Sequence, residues 1–311
     1  MKALLPAIAR PLIGEQLPDT IDAIWFDTPE MAEREIGDAD IAWVDMQGAA
    51  ASARVAAQGE RLQWLFTMRA GVDDFDTGLL RERGTVLTNG IGLHRAAVAE
   101  YTLMGMLVAA KRFDEVLHLA DDHQWSTQPP GTTLLEGSSA LIMGYGDIGR
   151  AIGKRLEAFD VKVTGVTRSG SEGTLRPDEW RERLGEFDWV ILAAPATDET
   201  SAMIGEDEFT AMKKSAWLIN VARGSMVDQA ALLTALRKRR IGGAFLDTVT
   251  PEPLPSGDPL WSEHNAILSL HLAGRSDAGM FQRAARLFLD NLRAFMEGRE
   301  MTNVVDLAAG Y

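Results

Sequence analysis

The 311-residue chain contains no cysteine. That excludes disulfides, thiolate catalysis and cysteine-ligated metal, and no metal site is expected. It also lacks any run of 18 apolar residues, so no segment is expected to span a membrane. The opening MKALLPAIAR has one lysine and a brief apolar run broken by Pro6, too short for the core of a secretory signal. The expected location is the cytoplasm. Positive charge is scarce: 31 Lys and Arg face 45 Asp and Glu, a formal net charge of −14. Such a surface repels a phosphate backbone, and nucleic acid is not an expected partner. The one basic run, Arg237–Arg240, closes a helical pattern begun by Asp228, where cations offset the helix dipole.

What is present is an ordinary globular composition, 46% hydrophobic and 24% charged, in a chain long enough for two domains. Its organising stretch is Ser139–Ser169. Ala140–Met143 is a short apolar run suited to a buried parallel strand. Gly144, Gly146 and Gly149 follow at G-x-G-x-x-G spacing, framing Tyr145, Asp147 and Ile148. Ile152, Leu156 and Phe159 recur at helical intervals, and Val161–Val166 is a second β-rich run. Strand, glycine turn, helix and strand make one βαβ unit with a dinucleotide-binding fingerprint, because glycines let the backbone approach a pyrophosphate facing the helix N-terminus.

The second strand ends Val166, Thr167, Arg168, Ser169 without the carboxylate that commonly holds the ribose hydroxyls of NAD; Glu172 is the first acid available. Thr167 and Ser169 can donate hydrogen bonds and Arg168 can pair with a 2′-phosphate, so NADP(H) is favoured, with NAD(H) possible.

Residues 1–94 alternate short β-like runs (Ala23–Phe26, Ile41–Val44, Leu62–Met68, Thr85–Thr88) with a helix over Gly48–Gln58, a small α/β domain. Within it, Arg69-Ala70-Gly71-Val72-Asp73 follows a strand directly. It reads either as a nest of N–H groups for an anion or as a tight strand–helix turn. Thr88-Asn89-Gly90 reads as a boundary. The helix Ala96–Lys111 is apolar almost all round, so it lies between domains or packs on another subunit. Later strands at Trp189–Ala193, Trp217–Val221 and Ala244–Leu246, with a helix from Asp228, give a doubly wound parallel sheet. Its ligand loops belong at the strand C-termini: Asn220–Gly224, Leu246–Thr248 with Pro251-Glu252-Pro253, and Leu270–Gly274. A last helix carries the stripe Met280, Phe281, Ala284, Leu287, Phe288, Leu292 and Phe295, with Ser276 or Asp277 as cap and Gly298 as stop.

The run INVARGSMVDQAALLTALRKRRIGGAFLDTVTPEPLPSGDPLW…LSLHLAG resembles the D-isomer-specific 2-hydroxyacid dehydrogenase family. AGVDDF, VAEYTL, PATDET and NVVDLAAGY match as well, so the resemblance covers essentially the whole chain. The missing acid after the second strand and Glu252–Pro255 are most similar to the glyoxylate/hydroxypyruvate reductase branch. The resemblance implies two Rossmann- or flavodoxin-like domains. Residues 1–94 and 282–311 would form a discontinuous substrate domain and 95–281 the NAD(P)-binding domain, with the active site in the cleft between them. It implies Arg223, Glu252 and His271 as catalytic residues. It adds Ala194, Pro195, Val221, Ala222 and Asp247 to the cofactor contacts, Asp247 holding the nicotinamide carboxamide. It places the substrate carboxylate at Ala70, Gly71 and Val72, with Arg223 and His271, and it implies a homodimer.

The chemistry needs these residue types. Reduction of a 2-oxo acid takes a hydride to C2 and a proton to the developing alkoxide. A histidinium donates near neutral pH, a carboxylate favours its charged form, and an arginine fork binds the carboxylate and keto oxygen. The expected activity is NADPH-preferring reduction of small 2-oxo acids such as glyoxylate or hydroxypyruvate. A dehydrogenase for pyruvate, phenylpyruvate or a branched 2-oxo acid is the alternative, and a dinucleotide-sensing binding protein is another. The chain departs from the family at Leu270, where Pro usually precedes the histidine. Arg69 and Arg275 stand where small residues are common and read as surface arginines, the alternative being extra anion anchors. Trp43 reads as a core residue, with the wall of a substrate pocket as alternative. His94, His118, His123 and His264 read as solvated or structural.

Overall fold

The computed structural model describes residues 1–45, 48–170, 173–275 and 277–310. Glu172 and Ser276 lie outside the described residues. The chain divides into two compact units, Met1–His94 with Asp277–Tyr311, and Arg95–Ser276. The first unit thus continues past Thr88-Asn89-Gly90 to His94.

The first unit is built on a five-stranded parallel sheet in the order β2-β1-β3-β4-β5, the flavodoxin-like 2-1-3-4-5 arrangement. Its strands are β1 (Lys2–Pro6), β2 (Asp22–Phe26), β3 (Ile41–Trp43), β4 (Trp64–Phe66) and β5 (Val86–Thr88). Alternate residues feed opposite cores, as a doubly covered sheet requires. Leu4, Ala42, Leu65 and Leu87 pack on one face, and Ala3, Leu5, Ile41, Trp43, Trp64 and Phe66 on the other. The second face is closed by the helix Met280–Met296. Trp64 stacks on Phe288 at 5.1 Å and Trp43 on Phe288 at 5.4 Å; such pairs add about 0.5–1.5 kcal/mol each beyond buried area. Trp43 is wholly buried in this stack. The helix stops at Gly298, φ +65°. Its N-cap is Gly279 and not Asp277, whose carboxylate accepts from Gly279 N and pairs with Arg283. Beyond it Val305 N donates to Leu87 O at 2.9 Å, tying the tail to β5.

The second unit carries a seven-stranded parallel sheet in the order β12-β11-β10-β9-β6-β7-β8. The strands are β6 (Ser139–Met143), β7 (Lys162–Val166), β8 (Thr174–Leu175), β9 (Trp189–Leu192), β10 (Trp217–Asn220), β11 (Gly243–Leu246) and β12 (Ala266–Leu268). Counted from β6 this is the Rossmann order 3-2-1-4-5-6 extended by one strand, so strand order reverses between β6 and β9. Leu141, Val190 and Leu218 enter one core, and Ile142, Ile191 and Ile219 the other. The helix after the glycine turn spans Asp147–Glu157 and buries Ile152 and Leu156. Phe159 lies past its end and is 40% exposed, which corrects its place on the stripe. The helix Gln229–Arg237 starts from Asp228, whose side chain accepts from Ala230 N and Ala231 N. At its far end Arg237 pairs with Glu263 at 2.7 Å.

The helix Arg95–Lys111 packs within its own unit on Asp147–Glu157 and on β11. Ala99, Met106, Ala109 and Ala110 are buried, while Met104 remains 42% exposed beside Leu103, Leu107 and Val108. Among the described residues no helix is long and apolar enough to cross a membrane. None of their His, Asp and Glu side chains group in threes that could hold a metal ion.

Candidate active site

At the switch point between β6 and β9, Gly144 has φ +88°, and a Cβ on it would lie 2.5 Å from the Ala194 backbone. The glycine turn and the Ala194-Pro195 loop therefore meet. A Cβ on Gly149 would lie 2.2 Å from Gly144 O, so this glycine seats the helix against the turn. Gly146, by contrast, faces open space. The helix begins with Asp147, Ile148 and Gly149, and Arg150 N is the first amide to donate back, to Gly146 O. An anion cradle with an open approach at Gly146 fits a dinucleotide pyrophosphate.

Two side chains in the turn have other engagements. The Tyr145 ring lies on β7, filling the space that a Cβ on Gly165 would take, and its N–H donates to Val166 O. Burial, followed by the charge of Glu157, holds its phenol above the ordinary value. Asp147 Oδ1 pairs with Arg95 at 3.2 Å, and its buried Oδ2 has no hydrogen-bond partner among the described residues.

Beyond β7 the chain turns through Thr167–Gly170, with Gly170 N donating to Thr167 O. Thr167 Oγ1 meets Thr174 Oγ1 at 2.8 Å, Arg168 and Ser169 are exposed, and the turn is pinned to β8 by Thr167 N to Leu175 O. A second arginine missed in the sequence, Arg176, packs against this turn: a Cβ on Gly170 would be 2.4 Å from its Cγ. It follows β8 directly, and the β7–β8 pairing brings it there.

Arg223, Glu252 and His271 follow three adjacent strands, β10, β11 and β12. A Cβ on Gly224 would lie 2.1 Å from the Val249 carbonyl, so only glycine after Arg223 lets the first two loops touch. Asn220 fastens the first loop, Nδ2 donating to Arg223 O and Oδ1 accepting from Ala222 N, while Val221 N donates to Leu192 O. Glu252 Oε1 accepts from Val249 N at 3.1 Å, and its Oε2 sits 2.6 Å from His271 Nδ1. Burial alone would raise the Glu252 pKa. The hydrogen bond and charge of His271, the Val249 N–H and the Arg223 charge outweigh it and hold the carboxyl below its ordinary range.

The third loop has an uncommon backbone. Leu270 and His271 have φ +62° and +56°, a left-handed conformation that costs a non-glycine residue on the order of 1–2 kcal/mol. Proline, fixed near φ −65°, has no access to it, so the loop takes a backbone that a proline at position 270 would forbid. Asp247, 3% exposed, engages this loop: Oδ1 accepts from Ser269 Oγ at 2.8 Å and Leu272 N at 2.9 Å, and both oxygens approach Ala273 N. Its own carbonyl accepts from His271 N at 2.6 Å.

In the first unit, the turn Ala70-Gly71-Val72 follows β4. Ala70 O accepts from Asn89 Nδ2, and among the described residues no acceptor lies on the N–H groups of Gly71 and Val72. Behind it stands Asp45, which sequence reading missed. It accepts from Trp43 Nε1 at 2.7 Å and from Thr67 Oγ1 and Met68 N at 2.6 Å. Burial raises its pKa against the pull of these bonds and of the Arg69 charge. Arg69 is only 26% exposed, which corrects its reading as a surface residue; it pairs with Asp74, and its buried Nη1 has no hydrogen-bond partner among the described residues. Arg275 is exposed. His94 Nε2 lies 2.9 Å from Met68 O, and His118, His123 and His264 hold no place in these loops.

Residues 103–273 match the D-isomer specific 2-hydroxyacid dehydrogenase, NAD binding domain. The chain belongs to the D-isomer specific 2-hydroxyacid dehydrogenase family and is an NAD(P)-dependent oxidoreductase of that type. It is similar to a glyoxylate reductase of Thermofilum pendens, 34% identical over 260 residues that cover 79% of this chain and 75% of that one. A D-isomer specific 2-hydroxyacid dehydrogenase family protein from Aeromonas salmonicida superposes with a TM-score of 0.85 at 29% identity, covering 98% of this chain and 99% of the other. The NADPH-dependent glyoxylate/hydroxypyruvate reductase SmGhrB of Sinorhizobium meliloti, solved with NADP and malonate, gives 0.82 at 26% identity, covering 99% and 97%.

Proposed function

We propose that the protein reduces small 2-oxo acids, glyoxylate and hydroxypyruvate among them, to D-2-hydroxy acids with NADPH preferred over NADH. The observation that carries this reading is the 2.6 Å contact of His271 Nδ1 with Glu252, beside Arg223, on loops after adjacent strands of the dinucleotide-binding sheet.

The bound cofactor supplies the hydride. With Nδ1–H donating to Glu252, His271 presents Nε2 as the nitrogen that carries the transferable proton. Glu252 fixes the orientation of the ring through Nδ1. Arg223 offers a planar fork to the substrate carboxylate and keto oxygen and stabilises negative charge as it builds on that oxygen. The N–H groups of Gly71 and Val72, which meet no acceptor among the described residues, are the proposed second hold on the carboxylate, a role the family resemblance supplies. The Gly144–Gly149 turn binds the pyrophosphate, with Ala194, Pro195, Val221 and Ala222 at neighbouring strand ends. Thr167, Arg168 and Ser169, joined by Arg176, receive the 2′-phosphate. The active form is a homodimer that covers the apolar strip of Met104, Leu103 and Leu107.

The test is NADPH oxidation, followed by absorbance, against a panel of 2-oxo acids. Turnover of glyoxylate or hydroxypyruvate above pyruvate, phenylpyruvate and branched acids is expected. Tight NADPH binding without turnover of any acid would overturn the reading in favour of a dinucleotide sensor.

A further inference from the structure

The family resemblance assigns Asp247 to the cofactor; the hydrogen bonds around it point elsewhere. Its carboxylate is buried and faces the loop that carries His271. Oδ1 gathers the Ser269 hydroxyl and the Leu272 N–H, and Ala273 N–H is shared between the two oxygens. The Asp247 carbonyl takes the His271 N–H at 2.6 Å. One residue thus grips the loop before, at and after the two positions whose φ is positive, Leu270 and His271.

We infer that Asp247 is a positioning residue for His271: it holds Leu270 and His271 in a left-handed backbone that neither adopts readily alone, and so keeps the imidazole on Glu252. This rests on the proposed role of His271 as proton donor. A leucine at φ +62° relaxes toward negative φ unless its surroundings prevent it. A flip at residue 270 reorients the next peptide and carries the ring away from its 2.6 Å contact. Four donors converging on one buried residue are what oppose that flip. Three of them reach the carboxylate and the fourth reaches the main-chain carbonyl; an amide in place of the carboxylate removes the charge that strengthens the three and turns N–H₂ toward the Ala273 N–H.

Asp247→Asn, Leu270→Gly and the double variant separate positioning from cofactor contact. Glycine has no steric penalty at φ +62°, so it removes the drive to flip. In Asp247→Asn, hydrogen exchange at the Leu272 and Ala273 amides is expected to speed up about tenfold or more. The kcat is expected to fall about tenfold or more, while the NADPH dissociation constant stays within about threefold. Adding Leu270→Gly is expected to recover kcat several-fold. Unchanged exchange at these amides overturns the inference. So does a loss confined to NADPH affinity that Leu270→Gly does not relieve. If Asp247→Asn does not fold, Ser269→Ala removes one donor and is expected to raise exchange at the same amides about threefold; no change there overturns the inference equally. A wild-type protein that reduces no 2-oxo acid contradicts the proposed activity, yet the exchange measurement still decides the role of Asp247.

Discussion

Arg168 stands in a turn against which a second arginine, Arg176, is packed, and the nearby Glu179 carboxylate accepts from Arg176 N. A 2′-phosphate placed there meets cations where the 2′-hydroxyl of NADH finds little to hold. A charge-assisted hydrogen bond contributes about 1.5–3 kcal/mol, so Arg168→Ala should raise the KM for NADPH roughly tenfold or more and leave that for NADH nearly unchanged. Steady-state kinetics with both cofactors measures this, and equal losses would show that Arg168 does not read the phosphate. Arg168 is visible in the sequence because it directly follows a strand of the fingerprint. Arg176 is not, since its place depends on a two-residue strand that no periodicity announces. Asp45 and the grip of Asp247 are equally hidden. Both depend on which backbone amides lie within reach of a buried carboxylate, and the chain order does not contain that.

At the scale of elements, the glycine turn, its helix and β7 behave as one packed block. Tyr145 lies where a Cβ on Gly165 would be, 2.3 Å from its Cγ. Gly165→Ala should therefore overpack this layer and destabilise the protein by about 1–3 kcal/mol. Thermal unfolding measures the loss, and a smaller aromatic-free residue at 145 should restore part of it; an unchanged Tm would show that the ring moves aside freely. Most strands were legible because short apolar runs between turn residues announce them. Three were not: β8 and β12, only two and three residues long, and β1, an inner strand of the first sheet. Lys2–Pro6 is buried on both faces, so it shows no alternation, and its Pro6 ending suggests a loop. The catalytic loops could be placed at strand ends from spacing. That Glu252 and His271 meet came from the family resemblance, since nothing in a separation of 19 residues brings them together.

For the whole molecule, two consequences follow from the surface and the site. The helix Arg95–Lys111 is covered on most sides within its own unit, but Met104 remains 42% exposed and shares one surface with Leu103, Leu107, Val108 and the 48% exposed Phe113 of the following helix. An apolar strip of this kind favours a second copy. Light scattering at micromolar concentration should give twice the chain mass, and Met104→Glu should shift it toward one; a monomeric wild type would count against the dimer. The second consequence concerns proton delivery. His271→Ala should lower kcat by on the order of 10²–10⁴, the usual share of general acid–base catalysis. Glu252→Gln is more specific, because it removes the charge that His271 Nδ1 meets at 2.6 Å and keeps the shape. The double-mutant cycle of His271→Ala and Glu252→Gln in 2-oxo acid reduction is the most direct test of the account. The two losses in kcat should be far from additive, the double variant being hardly slower than His271→Ala alone, because Glu252 acts through the ring. Additive losses would contradict the pairing of Glu252 and His271 as the proton-donating unit.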